Sequence, residues 1–434
     1  MPDTLLITGG APLHGTIHIP GAKNAASKEL VACLLADEPV TLTNMPDIGE
    51  VTLTIEILES VGANITRRDG AVTVDASGLN THVITEAFAG KNRIPILLLG
   101  PLLARFGKAE APTLGGDRIG ARPVDFHLDA LEQMGAEIAR NGCYRATVPD
   151  GRLHGAVVEL PYPSVGATEN VMLAAVRAKG TTVIKNAAME PEIVDLAKLL
   201  QSMGAIISLE VNRTWVIEGV ERLHGVTHRV MPDRIVAGSF AVAAAITKGD
   251  VTMTGVRQED MLSFLNALRR AGVPFELGED TLRVTAPKVF LPMTLETDVH
   301  PGFMTDWQQP FVTLLTQAPG VSIVHETVYE SRFGYTEALN KMGANITVQT
   351  NCLGAKECRF KNRNHPHSAV IVGSTPLKAA EVDIPDLRAG FSYLIAALIA
   401  EGTTRMTGIE HIERGYENIV EKMQALGAKI TRAS

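Results

Sequence analysis

A lone acid, Asp117, stands between Gly116 and Arg118 in the run LGGDRIGARP, with Arg122 five residues further on. A carboxylate among guanidinium groups and glycines fits a structural ion pair or an acid–base group on a loop. The two arginines favour its ionised form; a closed, drier site holding an anion favours the protonated one. Lys23 and Asn24 stand a few residues before the apolar stretch LVACLLA. A lysine at a helix start opposes the helix dipole, so Lys23 reads either as a solvated surface residue or as part of an anion site shared with helix amides. Arg93, Arg122, Arg332, Arg388 and Arg414 each stand beside glycines or acids. Singly, each suits a surface ion pair; together, their planar forks suit a ligand carrying carboxylate and phosphate. Asp306, in HPGFMTDWQQP, reads as a capping box with Gln309 or as a general base toward a hydroxyl.

Two further stretches bear on chemistry. Ser164, Val165 and Gly166 open an apolar helix and can present backbone amides to a ligand, although SVGA is not a nucleotide-binding loop of known pattern. Cys352, Cys358, His365 and His367 follow the order C-x5-C-x6-H-x-H, which does not match structural zinc spacings. That segment reads as an enlarged polar hairpin, with no metal expected.

The elements that must position these residues repeat along the chain. One phrase, a helix ending in Gly followed by a small residue and a strand, recurs as ILESVGANI, LEQMGAEI, LLQSMGAII, LRRAGVPF, LNKMGANI and MQALGAKI. Each glycine falls where a helix stops. A second phrase, an apolar helix, a short turn and a Val/Thr strand, precedes each of them; FAVAAAITKGDVTMTGV is one example. Self-similarity at a spacing of about 70 residues predicts six copies of one supersecondary unit. Six units suit two α/β domains of three, with helices buried beneath sheets.

Composition narrows the function classes. The chain has 434 residues, too many for one ordinary core, and a net charge of −8, which argues against non-specific nucleic-acid binding. Four cysteines do not make a disulfide scaffold, and no basic leader or long apolar run is present, so a cytoplasmic protein is expected.

The motifs GAKNAA, LLGPLLARFGKA, IGARPVDFH, SVGAT, PEIVDLAK, MPDRI, TDWQ, DLRAG and ERGYENIVEKMQALGA occur in this order. Together they resemble the UDP-N-acetylglucosamine enolpyruvyl transferase family, of the EPSP synthase-like superfamily, nearly end to end. The resemblance implies an inverse α/β barrel in each of two domains, each of three βαβαββ repeats with helices inside. Residues 1–22 and 231–434 would form the first domain. Residues 23–230 would form an inserted one, carrying a mobile loop at 112–123, with the active site between the two.

The implied reaction moves the enolpyruvyl group of phosphoenolpyruvate onto the sugar 3-hydroxyl of UDP-N-acetylglucosamine. Phosphate leaves, by addition and elimination, in the first committed step of peptidoglycan synthesis. Carried across by motif, Lys23, Arg122 and Arg414 would hold the phosphate side, and Arg332 and Arg388 the carboxylate side. Lys23, Asn24 and Arg93 would line the same cleft. Asp306 would take the hydroxyl proton. Arg122, Pro123, Val124, Asp125 and Phe126 would contact the uridine diphosphate, with Ser164, Val165, Gly166 and Val328 also against substrate. Most family members carry cysteine where this chain has Asp117. Here Asp117 would protonate the methylene carbon, and the enzyme would be insensitive to fosfomycin, which alkylates that thiol. No cofactor, metal, nucleic acid or membrane is implied, and the protein is expected to be a monomer. Two alternatives stand beside this reading: a paralogue with another acceptor, of the shikimate phosphate type, and a non-catalytic sugar-nucleotide binding homologue.

Overall fold

The computed structural model describes residues 4–116, 123–355 and 358–433. Contacts divide the chain into two compact units, one of residues 4–20 with 232–433 and one of residues 21–116 with 123–231. The described residues form six sheets, three in each unit.

One pairing scheme recurs in them. A short edge strand runs parallel to a second strand, which pairs antiparallel with a third, and the third antiparallel with a fourth. Thr294–Glu296, Gly320–His325, Ser368–Gly373 and Ile346–Gln349 follow it. So do His14–His18, Asp250–Thr254, Thr281–Thr285 and Phe275–Leu277. The third sheet of that unit takes its third strand from the far end of the sequence: Glu381–Asp383, Thr403–Thr407, Thr4–Thr8 and Lys429–Ala433. In the other unit the scheme appears in Thr227–Arg229, Val40–Thr43, Ala71–Asp75 and Asn64–Arg68. It appears again in Val157–Glu159, Thr181–Lys185, Thr214–Glu218 and Ile206–Glu210. The sixth sheet keeps Lys108–Ala111, Tyr144–Thr147 and Glu137–Ala139, and a single parallel bridge, Val83 to Glu110, replaces its edge strand.

The six Gly phrases close six helices in the same way. Gly62, Gly135, Gly204, Gly272, Gly343 and Gly427 all have φ between +81° and +107°. In each, the glycine N–H and the next residue's N–H reach back to carbonyls of the last turn, as in Gly62 to Glu59 and Ala63 to Leu58. This is the Schellman arrangement, which only a residue tolerant of left-handed backbone accepts without strain.

The helices of the second phrase are mostly buried, two of them on all sides. Every residue of Arg234–Ile246 is buried, and so is every residue of Gln308–Leu315. These two pack on each other and on Leu387–Ile399, and the three sheets cover them. Lys23–Cys33, Leu99–Phe106 and Val165–Ala175 play the same part in the other unit. A helix apolar all round has no solvent face to offer, so its place is inside. The structure thus has the expected mixed α/β fold, with helices within each unit. Among the described residues no helix is long and apolar enough to cross a membrane.

Candidate active site

Asp306 lies in the 3-10 turn Thr305–Trp307, which leads into the helix Gln308–Leu315. It does not cap. The extended residue before the turn is Met304, and neither the turn nor the helix carries a side-chain cap. Asp306 sits two residues past the cap position, and its carboxylate points elsewhere. Oδ1 accepts from Arg332 Nη2 at 2.5 Å and lies 3.6 Å from Arg388 Nε. The neighbouring Trp307 anchors the turn: its indole N–H donates to Arg234 O at 3.1 Å. A Cβ at Gly238 would stand 2.8 Å from that nitrogen, so only glycine lets the indole approach so closely.

Arg332 and Arg388 are buried, and a buried charge persists only when paired. Burial opposes the charge on Arg332, but Asp306, Asp386 and Glu326 outweigh it and hold its pKa above the usual guanidinium value. Burial likewise opposes the charge on Arg388, which Tyr416, Asp306 and Asp233 raise. Arg388 stands in the first turn of Leu387–Ile399, which Asp386 caps by accepting from Arg388 N and Ala389 N. Its Nη1 donates to Tyr416 Oη at 3.2 Å, and Tyr416 Oη lies 2.9 Å from Ser239 Oγ. Arg414 follows the short helix Glu410–Glu413 and is half-buried.

Sequence reasoning missed the hub beside this group. Glu326 is fully buried and accepts from Thr305 Oγ1, Gln308 Nε2, Val328 N and Tyr329 N, at 2.8 to 3.1 Å. Burial raises its pKa and Arg332 pulls it back. Glu326 fixes the backbone of Val328 and of Tyr329, whose ring lies 5.4 Å from the Arg332 guanidinium. The signal was an acid directly closing the apolar strand GVSIVH.

In the other unit, Lys23 is the first residue of Lys23–Cys33, a helix with no side-chain cap and no acid in its first turn. Asn24 follows it, half-buried. Lys23 Nζ lies 3.7 Å from Glu50 Oε2, and Glu50 Oε1 accepts from Asn92 Nδ2 at 3.2 Å. Asn92 Oδ1 in turn accepts from Ile94 N, which fixes the backbone on either side of Arg93. Glu50 and Asn92 were not singled out in the sequence, because nothing local marks them. His127 is buried, and burial, then Arg93, push its pKa down to about 3, so it is neutral. A Cβ at Gly166 would stand 3.0 Å from the His127 ring. Ser164 caps Val165–Ala175 by accepting from Ala167 N at 3.3 Å. On the facing helix start, Pro123 is exposed, Val124 buried, and Asp125 and Phe126 half-buried. Asp125 Oδ1 and His127 Nδ1 are buried with no hydrogen-bond partner among the described residues. Asp117 and Arg122 lie outside the described residues.

The helix bearing Lys23 also carries Glu29, one of a buried trio with Asp195 and His228, and burial raises the Glu29 pKa to about 7. His228 Nε2 lies 3.7 Å from Glu29 Oε1 and 3.4 Å from Asp195 Oδ2. Burial opposes protonation of His228, yet Asp195 and Glu29 outweigh it and raise its pKa to about 9. The folded state therefore binds this proton more tightly than the unfolded one, and the stabilisation is complete below about pH 6.5 and lost as pH rises toward 9. Chemical denaturation should show a fall on the order of 2–3 kcal/mol across that window, and His228→Asn should remove most of the slope. A wild-type stability that is flat from pH 6.5 to 9 would disprove the protonated His228.

The hairpin after Ile346–Gln349 differs from expectation. Cys352, Cys358 and His367 do come together, but the second imidazole is His325, not His365. The reason is strand pairing: His325 lies opposite Ser368 in the sheet, next to His367, while His365 packs its ring on Phe360.

Comparison with known proteins follows the same outline. Residues 7–423 match the EPSP synthase (3-phosphoshikimate 1-carboxyvinyltransferase) family. A protein of Protochlamydia amoebophila named UDP-N-acetylglucosamine 1-carboxyvinyltransferase is 50% identical, covering 99% of this chain and 94% of its own. One of the same name from Zymomonas mobilis is 44% identical over 99% of each chain. The crystal structure of the enolpyruvyl transferase NikO from Streptomyces tendae superposes with a TM-score of 0.88 at 25% identity, covering 100% of this chain and 99% of that one. An EPSP synthase from Acinetobacter baumannii, 19% identical, shares the fold with a TM-score of 0.79 over both whole chains. With a match running through both units and relatives of this likeness, the chain belongs to the EPSP synthase (3-phosphoshikimate 1-carboxyvinyltransferase) family.

Proposed function

We propose that this chain transfers the enolpyruvyl group of phosphoenolpyruvate to the 3-hydroxyl of UDP-N-acetylglucosamine, releasing phosphate, as a cytoplasmic monomer in peptidoglycan synthesis. The observation that carries the reading is a carboxylate, Asp306, held by two buried arginines, Arg332 and Arg388, in a chain half identical to a protein of that name. A half-exposed carboxylate in a rigid cationic frame can take a proton from a hydroxyl while the guanidinium groups hold an anionic partner.

The roles divide by chemistry. Asp306 accepts the proton of the attacking hydroxyl. Arg332 and Arg388 hold the carboxylate of phosphoenolpyruvate, and Lys23, Arg122 and Arg414 its phosphate. Lys23 suits this role because it shares the uncapped amides of its own helix N-terminus. Asn24, Arg93, Pro123 to Phe126, Ser164 to Gly166 and Val328 contact the sugar nucleotide. Asp125 Oδ1, an acceptor without a partner among the described residues, suits an N–H of the base. Asp117 delivers the proton to the methylene carbon.

The test is phosphate release from phosphoenolpyruvate with UDP-N-acetylglucosamine as acceptor and shikimate 3-phosphate as control. Release with the sugar nucleotide alone supports the proposal. Release with shikimate phosphate alone would move the chain to another acceptor, and release with neither would leave a binding protein.

A further inference from the structure

We propose that Cys352, Cys358, His367 and His325 form a structural zinc site that fastens the hairpin of residues 350–367 to the strand Gly320–His325. One ligand atom from each of the four residues falls within 4.8 Å of every other. Cys352 Sγ is 3.4 Å from Cys358 Sγ and 3.3 Å from His367 Nε2. Tetrahedral zinc with Zn–S near 2.3 Å and Zn–N near 2.0–2.1 Å places sulfurs about 3.8 Å apart and sulfur and nitrogen about 3.6 Å apart. Those two pairs are therefore within about half an ångström of a zinc cage, and a His325 nitrogen lies within 4.8 Å of the other three ligand atoms. The cysteine pair is far from a disulfide, whose sulfurs are about 2.0 Å apart.

Hydrogen bonding decides which ring nitrogen each histidine offers. His367 Nδ1 is 2.6 Å from the carbonyl of His365, which can only accept, so Nδ1 carries the proton and Nε2 the lone pair. Ser368 Oγ donates its one proton to Asn351 O at 2.7 Å. It must then accept from His325 Nδ1, 2.8 Å away. His325 Nε2 is left with a lone pair, and this fully buried atom has no hydrogen-bond partner among the described residues. An unsatisfied buried polar atom costs about 1–3 kcal/mol. Two imidazoles with their Nδ1 protons fixed by oxygen acceptors and their Nε2 atoms turned on two thiols are what a metal centre requires of its outer shell. The fourth ligand comes from a strand, not from the hairpin, which is why the spacing of the hairpin alone did not resemble a zinc motif.

The surroundings show what such a site would secure. Ala355 N donates to Glu296 Oε1, and a Cβ at Gly354 would stand 2.4 Å from His325 Cδ2, so the hairpin lies directly on the sheet. Phe360 is buried against the His367 ring at 5.8 Å. Next to it, Arg359 donates to Val328 O and lies 3.7 Å from Glu330 Oε1. Glu326 N donates to His367 O at 2.8 Å. The cluster thus braces the segment from Glu326 to Arg332, as a structural support with no part in the chemistry.

Full-length protein equilibrated with zinc, desalted and analysed by plasma mass spectrometry should hold one zinc per chain. Cys358→Ser and His325→Ala should each hold less than a tenth of that, while His365→Ala keeps it. Cobalt(II) in place of zinc should give the intense visible absorption of a tetrahedral thiolate site. Metal-free protein should react with a thiol reagent at Cys352 and Cys358, and zinc should suppress that reaction at least tenfold. Wild-type protein that binds no zinc or cobalt, or a Cys358→Ser variant that stays folded by circular dichroism and still binds one, would overturn the proposal. So would a Cys352–Cys358 disulfide, seen as a 2 Da mass loss, in protein purified under reducing conditions.

Discussion

Replacing Asp306 with asparagine should lower kcat by about a thousandfold or more, the scale of a positioned general base. It should also destabilise the unit of residues 4–20 with 232–433. Two buried guanidinium groups converge on Oδ1, and an amide oxygen carries no charge to balance them. Breaking a buried ion pair costs about 3–5 kcal/mol, and the partial exposure of Asp306 points to the lower end. The two effects separate in Asp306→Glu, which restores the charge and most of the thermal stability but moves the carboxylate by a methylene, so turnover stays low. A stable Asp306→Asn enzyme with more than a tenth of wild-type kcat would show that the proton goes elsewhere.

The second large effect concerns Asp117. Asp117→Asn should reduce turnover by about a thousandfold, because an amide has no proton to give at neutral pH, while the affinity for UDP-N-acetylglucosamine changes less than twofold. Asp117→Cys should recover measurable turnover and show time-dependent inactivation by fosfomycin with a covalent adduct at residue 117, which the wild type should not show. A thiolate opens an epoxide far more readily than a carboxylate does. Wild-type protein that forms that adduct at Asp117, or an Asp117→Asn variant at full speed, would remove the acid from this position.

How much of this was legible depended on how local the determining interaction is. The Gly phrases were readable because a Schellman cap closes within six residues, and all six glycines have the positive φ that the phrase implies. The buried helices were readable because their apolar character runs all round, as in FAVAAAI. Lys23 and Asp306 were found by residue type, but their settings were not. Asp306 resembled a cap because DWQQ, ending in Gln309, has the spacing of one; its actual partner, Arg332, lies 26 residues on. Glu50, Asn92, Glu326 and the trio of Glu29, Asp195 and His228 are joined by tertiary packing alone. His325 reaches the two cysteines only through the register of a strand pair, which no motif spacing encodes.

The strand Thr4–Thr8 has a consequence for how the chain must be made. It lies between Thr403–Thr407 and Lys429–Ala433, with Thr4 opposite Ala433. As the polypeptide leaves the ribosome, residues 21–231 have all their sheet partners in hand before the rest exists. Thr4–Thr8 must wait, unpaired, for about four hundred further residues. A truncated product would therefore keep one folded half and expose a sticky β-edge on the other. Conversely, a short linker joining Thr4 to Ala433, with new ends opened elsewhere, should be tolerated, because these two residues already lie side by side.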